Sequence, residues 1–189
     1  MKVYSLAALS ILFIAFTAFI TINVAEAGKQ EQPEIKWLSF EEAVKQSSKK
    51  PKKILIDVYT DWCGWCKVMD KQTFTDPIIV AYVSANYYAV KLNAEQREKI
   101  VFNGQDYNFI LSNPNSNKGY HELAANLLDG KLSYPSTVVL DEKFNRIGLV
   151  PGFLKPEVFD QMLKYYGGDH HTKTPYEEFS KNYKSPYGQ

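Results

Sequence analysis

A short apolar, β-branched run, Ile54-Leu55-Ile56-Asp57-Val58-Tyr59, leads straight into Thr60-Asp61-Trp62-Cys63-Gly64-Trp65-Cys66, and these two cysteines are the only ones in the chain of 189 residues. Together these features constrain the fold. No further cysteine is present to build a disulfide framework, so an ordinary hydrophobic core must hold the chain. A nearly continuous apolar run of this length reads as a buried strand. The stretch from Gly64 to about Gln72 reads as a helix, which puts Cys63 at a strand-to-helix turn. A bridge across so short a loop removes little unfolded-state entropy, so a purely structural role is the weaker reading of the pair. Two thiols at this spacing can instead close and reopen a small disulfide ring, the chemistry of dithiol–disulfide exchange.

The rest of the chain supplies alternating elements. Ser39 with Glu42 three positions later is a capping-box pattern for a helix from about Phe40 to Ser48. Lys49-Lys50-Pro51-Lys52-Lys53 then reads as a solvated connection. Asp76-Pro77 is a helix start, and a short helix to about Ala85 follows. Tyr87 to Leu92 reads as a strand. Residues from Lys99 to Phe102 and from Gln105 to Phe109 flank Asn103-Gly104 and predict a hairpin. Ser112 to Gly119 reads as a loop. A helix is expected from His121 to Leu128, strands over 137–140 and 146–150, and a closing helix from Pro156. Val158, Phe159, Met162, Leu163 and Tyr166 form the apolar face of that last helix. The order gives an α/β fold with a central sheet.

Residues 1–27 carry a secretory pattern: Lys2, an apolar run from about Leu6 to Ile22, then Ala25-Glu26-Ala27 before Gly28. The same run is long enough to span a bilayer, so an uncleaved anchor is the alternative to a cleaved signal peptide. Residues 28–34 read as a linker, 35–167 as one domain and 168–189 as a C-terminal extension. A net charge of +1 gives no electrostatic footprint for nucleic acid. An aromatic content of 14% leaves apolar area for a peptide groove.

The position of Cys63 ahead of a helix predicts asymmetric roles. Free N–H groups and the positive end of the helix dipole favour a thiolate there. Its sulfur is expected at an exposed tip, with Cys66 one turn further in and more buried. Cys63 then attacks a substrate disulfide, and Cys66 resolves the mixed disulfide. Zinc would need two more ligands. Only His121, His170, His171 and carboxylates are on offer, so no metal is expected. His170 and His171 read as exposed, and His121 as a residue that caps or packs near its helix. Asp57 interrupts the apolar strand. It is either a buried acid with a raised pKa that exchanges a proton with Cys66, or a strand-end carboxylate facing solvent. Lys91, in Tyr88-Ala89-Val90-Lys91-Leu92-Asn93, either pairs with Asp57 across neighbouring strands or is an ordinary exposed lysine.

The segment from Ile54 to Lys67 resembles the active-site segment of thioredoxin: the aspartate in the strand, Trp62 before the first cysteine, and Lys67 after the second. Val90-Lys91-Leu92-Asn93 resembles the strand that carries the aspartate's lysine partner. Tyr134-Pro135-Ser136-Thr137 resembles the cis-proline loop, and Gly152 falls where thioredoxins keep a glycine on the last strand. The resemblance covers roughly Leu38 to Tyr166. It implies a thioredoxin-like fold with a central mixed β-sheet flanked by helices, and an insertion at about 96–118 before the cis-proline strand. It also implies that Pro135 faces the two sulfurs, and that Trp62, Trp65 and the Tyr134 backbone contact substrate. Two departures stand out. Trp65 replaces the family's proline, and the insertion is either a substrate-selecting surface near the active-site end or a surface hairpin without a role.

These features predict an exported thiol–disulfide oxidoreductase of the bacterial periplasm. A positive charge between the cysteines would favour an oxidant, and Trp65 brings none, so the reading leans to a reductase. The rivals are a disulfide oxidant or isomerase, and a peptide-binding module with an inert disulfide. No bound organic cofactor is called for. The expected partners are disulfide-bearing client proteins and an electron-donor thiol protein, for which a membrane protein passing reducing equivalents outward is one candidate.

Overall fold

The computed structural model describes residues 33–188. The proposed signal segment, and the linker up to residue 32, lie outside the described residues. The elements are β1 (Trp37–Leu38), α1 (Phe40–Lys49), β2 (Lys53–Tyr59), α2 (Gly64–Gln72), α3 (Pro77–Asn86), β3 (Tyr87–Asn93), β4 (Ile100–Phe102), β5 (Gln105–Tyr107), β6 (Phe109–Leu111), β7 (Gly119–His121), α4 (Glu122–Leu127), β8 (Ser136–Leu140), β9 (Arg146–Pro151) and α5 (Pro156–Gly167). A 3-10 turn (His170–Thr172) and α6 (Tyr176–Asn182) follow.

Local chemistry explains the helix starts. Ser39 Oγ accepts the Glu42 N–H, as the capping pattern predicts. Glu42 does not close the reciprocal half of a capping box; its carboxylate instead accepts from Gln46. Asp76 Oδ1 accepts from the N–H groups of Ile78 and Ile79, with Pro77 in the first turn of α3.

Five strands form a mixed sheet in the order β1-β3-β2-β8-β9. β1 and β2 run parallel to β3, while β8 is antiparallel to both β2 and β9. β2 lies at the centre, covered on both faces, which is why its sequence is nearly continuous apolar. Ile54, Ile56 and Val58 point to a core with Phe40, Val90, Leu92, Leu123 and Leu128. Leu55 points the other way, to Met69, Ile79, Val83, Phe159 and Leu163. With a period of two, Asp57 falls on the second face, under α2.

The insertion is two hairpins. The predicted one, β4–β5, turns at Asn103 and Gly104 with φ of 51° and 76°. Both residues at positive φ give the turn that matches strand twist, the reason for the Asn-Gly signal. Its Ile100 and Tyr107 are buried in the first core, and Phe102 stacks edge-on against Phe40 at 5.0 Å. The second hairpin, β6–β7, corrects the reading of this stretch: Phe109 opens β6 rather than ending β5, and the loop shrinks to 112–118. The Asn-Ser-Pro-Gly signal marked the loop, but strands of three residues are too short to show alternation.

Two further expectations need correction. Val158 is exposed, and the buried face of α5 runs through Phe159, Met162, Leu163 and Tyr165. Lys53 is not solvated. It is buried at the start of β2, with Nζ 2.9 Å from both Glu142 and Asp169. Burial pulls its pKa down, but the hydrogen bonds to Asp169 and Glu142 outweigh that and hold it above the ordinary value. The extension after Gly167 packs back on the domain. Phe179 and Tyr176 stack on Tyr165, and Tyr187 Oη donates to Asp76 at 2.6 Å.

Candidate active site

β2 ends at Tyr59, the chain turns at 60–62, and α2 begins at Gly64 with Cys63 as its N-cap. Cys63 and Cys66 are joined by a disulfide. The Cys66 N–H points at Cys63 Sγ, 3.1 Å away. An orphan donor of the first turn is thus aimed at the sulfur that would carry negative charge in the dithiol state. The expected contrast in exposure is smaller than the sequence suggested. Cys63 is 5% exposed and Cys66 2%, so in the disulfide form both are covered. The exposed groups are Trp62 at 66% and Trp65 at 62%, which stand beside the sulfurs in the chain and carry the apolar surface there.

Asp57 is 2% exposed, so the solvent-facing alternative does not hold. Register sets it beside Lys91 of β3 and Thr137 of β8. Lys91 Nζ lies 2.7 Å from Asp57 Oδ2, while Asp57 Oδ1 has no hydrogen-bond partner among the described residues. Burial pushes the carboxyl up to about 6 from an ordinary 3.8. The Lys91 charge opposes this without cancelling it, and nearby Asp70 adds to the rise.

Lys91 is shared. It also contacts the carboxylate of Asp70, four residues after Cys66 on α2. It sits over the rings of Phe74 (4.8 Å), Trp37 (4.9 Å) and Tyr59 (5.2 Å). Burial draws the ammonium down, but the charge of Asp57 and its hydrogen bonds to Asp57 and Asp70 hold it above its ordinary value. The buried acid therefore faces an ammonium that stays charged, inside an aromatic cage that strengthens the cation's site.

The Tyr134–Pro135 bond is cis, and Gly152 N donates to the Pro135 carbonyl at 2.8 Å. Gly152 lies one residue past the end of β9, not on the strand. Its φ is +93°, and a Cβ there would meet nothing within 4 Å. Glycine is needed for the backbone conformation rather than for lack of room. Trp65, Tyr134, Pro135, Gly152 and Phe153 line one open groove.

All nine residues singled out from the sequence thus gather around α2, the cis-proline loop and the strands beneath. Three neighbours were missed. Asp70 had a usable signal, since its spacing from Cys66 puts it on the same helix face. Phe153, whose ring lies 5.5 Å from that of Trp65, had none. Glu95, which accepts the Trp62 indole N–H at 3.0 Å, had none either. Glu95 stands at the root of the insertion. There Ala94 N donates to Tyr59 O and His121 N donates to Ala94 O.

Comparison with known proteins agrees with this geometry. A family model described as a thioredoxin-like domain matches residues 40–167. The thiol:disulfide interchange protein DsbD of Haemophilus ducreyi is 36% identical over 78 aligned positions, covering 35% of this chain and 14% of that protein. The match thus spans a small part of that relative's length. Among solved structures, the DsbH oxidoreductase superposes with a TM-score of 0.52 at 17% identity, covering 77% of this chain and 97% of that one. A thioredoxin from Thermus thermophilus gives 0.52 at 16% identity, covering 70% and 87%. At these identities the two structures speak to the fold alone.

Proposed function

This chain belongs to the thioredoxin-like domain family, and from that premise we propose that it is an exported thiol–disulfide oxidoreductase that reduces disulfides of client proteins. The observation that carries the reading is Cys63: it caps α2, bonds to Cys66, and receives the Cys66 N–H on its sulfur.

In the dithiol state, Cys63 acts as a thiolate and attacks one sulfur of a client disulfide. A Cys63–client bond forms, and the client's other sulfur leaves as a thiolate that takes up a proton. Cys66 then gives its proton to Asp57 and attacks Cys63 Sγ. The Cys63–client bond breaks, and the second client sulfur leaves and is protonated. The client gains two electrons and two protons; the cysteine pair loses two electrons and the Cys66 proton, which Asp57 passes on, and solvent supplies the second proton. A carboxyl poised near pH 6 suits this transfer, because it is largely ionised at neutral pH and still basic enough to accept a proton. A separate thiol protein resets the pair, and the DsbD relative, a thiol:disulfide interchange protein, makes a protein of that kind a suitable donor class. Export rests on the secretory pattern of residues 1–27. The reducing direction rests on Trp65, which brings no charge to stabilise the thiolate.

Insulin reduction by the chain without residues 1–27, with dithiothreitol as donor, tests the activity. Turnover is expected for the native cysteine pair and background for Cys63→Ser. Activity that survives Cys63→Ser would refute the mechanism. A measured potential in the range of strong disulfide oxidants would reverse the direction. Cys66→Ser should accumulate mixed disulfides through Cys63, whereas a peptide-binding module with an inert disulfide would accumulate none.

A further inference from the structure

The inference drawn here rests on the exchange reaction proposed above and concerns which clients it favours. The open groove lined by Trp65, the residue before Cys66, with Tyr134, Pro135, Gly152 and Phe153 has a volume of about 220 Å³, and none of these side chains is charged. The Trp65 ring lies against Phe153 with a tilt of 31°, so these two aromatics form one wall. Gly152 contributes bare backbone with open space above it. A space of this size is below the range of pockets for drug-sized ligands, roughly 300–1,000 Å³. It is larger than the roughly 150 Å³ apolar cavity that accepts a benzene ring. One bulky apolar side chain fits that description.

The other side of Tyr134 is different. The Trp62 ring meets Tyr134 edge-on at 5.9 Å, and the Trp62 indole N–H is held by Glu95 Oε1 at 3.0 Å. Glu95 is half-buried at the root of the insertion, so the lip next to Trp62 carries a carboxylate. Tyr134 thus belongs to both the uncharged groove and the edge of the acidic lip, and the tryptophans of the two, Trp65 and Trp62, directly precede Cys66 and Cys63 in the chain.

We infer that the favoured client is an extended disulfide-bearing segment with a bulky apolar residue on one flank of its cysteine, seated in the groove against the wall formed by Trp65 and Phe153, and a lysine or arginine on the other flank, reaching Glu95. Phe153 and Glu95 are then specificity-determining residues. The occupant follows from charge and size complementarity. An acidic residue in the groove would lose water without gaining a partner, and an acidic residue at the lip would face Glu95.

The test uses the reduced wild-type chain in single-turnover reactions with synthetic peptides holding one intramolecular disulfide. One flank of the attacked cysteine carries Leu, Ala or Asp, and the other Lys or Glu, in both orders. Hydroxyethyl disulfide, which has no flanks, reports the exchange chemistry alone. The expected result is a preference of about tenfold for Leu over Ala in kcat/KM, the scale of lost apolar contact in a pocket. A smaller preference for Lys over Glu should fade at high salt. Phe153→Ala should flatten the Leu/Ala ratio, and Glu95→Gln the Lys/Glu ratio. A residue that merely props up Trp62 would not move the second ratio. Hydroxyethyl disulfide reduced by wild type, with peptides reduced regardless of flank, overturns the client inference and leaves the exchange chemistry standing. No reduction of hydroxyethyl disulfide overturns both.

Discussion

Replacing Asp57 with asparagine should change the pH dependence of stability by an amount the structure sets. The carboxyl is buried and titrates at about 6 in the folded disulfide form, against 3.8 for an ordinary aspartate. Below pH 3.8 it is protonated in both the folded and unfolded states and has no effect. Between 3.8 and 6 the unfolded chain has released the proton and the folded chain has not, so folding takes up a proton and stability falls as pH rises. Above 6 both states are ionised and the loss is complete. At about 1.4 kcal/mol per pKa unit, the wild type loses about 3 kcal/mol across this window relative to Asp57→Asn, which does not titrate. The Lys91 contact is already contained in that figure, because it shapes the folded pKa. Urea titrations of the disulfide forms of both proteins, from pH 3.5 to 7.5, measure it. With slopes of about 1–3 kcal/mol/M, the difference between the two midpoints should move by about 1–3 M. A flat difference would show that Asp57 keeps an ordinary pKa. A difference of opposite sign would show that Lys91 wins over burial. Either result refutes the reasoning and removes the poised base from the proposed mechanism.

Two other sites give independent tests. Asp76→Ala removes the acceptor for Ile78 and Ile79 at the start of α3 and the partner of Tyr187, and should cost about 1–2 kcal/mol in chemical denaturation at pH 7, with Asp76→Asn costing less. His121 is buried, accepts the Leu123 N–H on Nδ1, and lies with Nε2 3.1 Å from the Glu98 carbonyl, so burial holds its pKa below the ordinary 6.5. Its contribution to stability is full above pH 6.5 and is lost as pH falls through the lower folded value. Relative to His121→Asn, the wild type should therefore gain stability from pH 5 to pH 7, and an unchanged difference between the two proteins in urea titrations would count against the neutral imidazole.

How far the sequence reveals this molecule differs from element to element. The start of α1 at Phe40, the span of α2 and the start of α3 at Pro77 are written in local signals, because a capping side chain or a proline acts within one turn of its own position. The turn at Asn103-Gly104 is equally local, since two residues at positive φ need those side chains. The hairpin β6–β7 left no such mark, because its strands are short and its pairing spans a loop. Lys53 read as solvated because its neighbours in sequence are lysines. Its burial depends on Glu142 and Asp169, which lie far along the chain. The C-terminal extension docks through Tyr165 and Asp76, which lie outside it, and no local pattern announces such contacts.

The same division holds at the disulfide. The sequence by itself determined that Cys63 and Cys66 form a close pair at a helix start, because spacing, exclusivity and the strand-to-helix turn are local facts. It also raised Asp57 as an oddity in an apolar strand, but left its face open. Only the tertiary structure decided that face, because the direction of a strand side chain has meaning only once α2 covers one side of the sheet. The same is true of the Lys91 cage with Asp70, of Phe153 against Trp65 and of Glu95 holding Trp62. Each joins residues from different elements, and through-space distance, which no local pattern encodes, fixes their charge and burial.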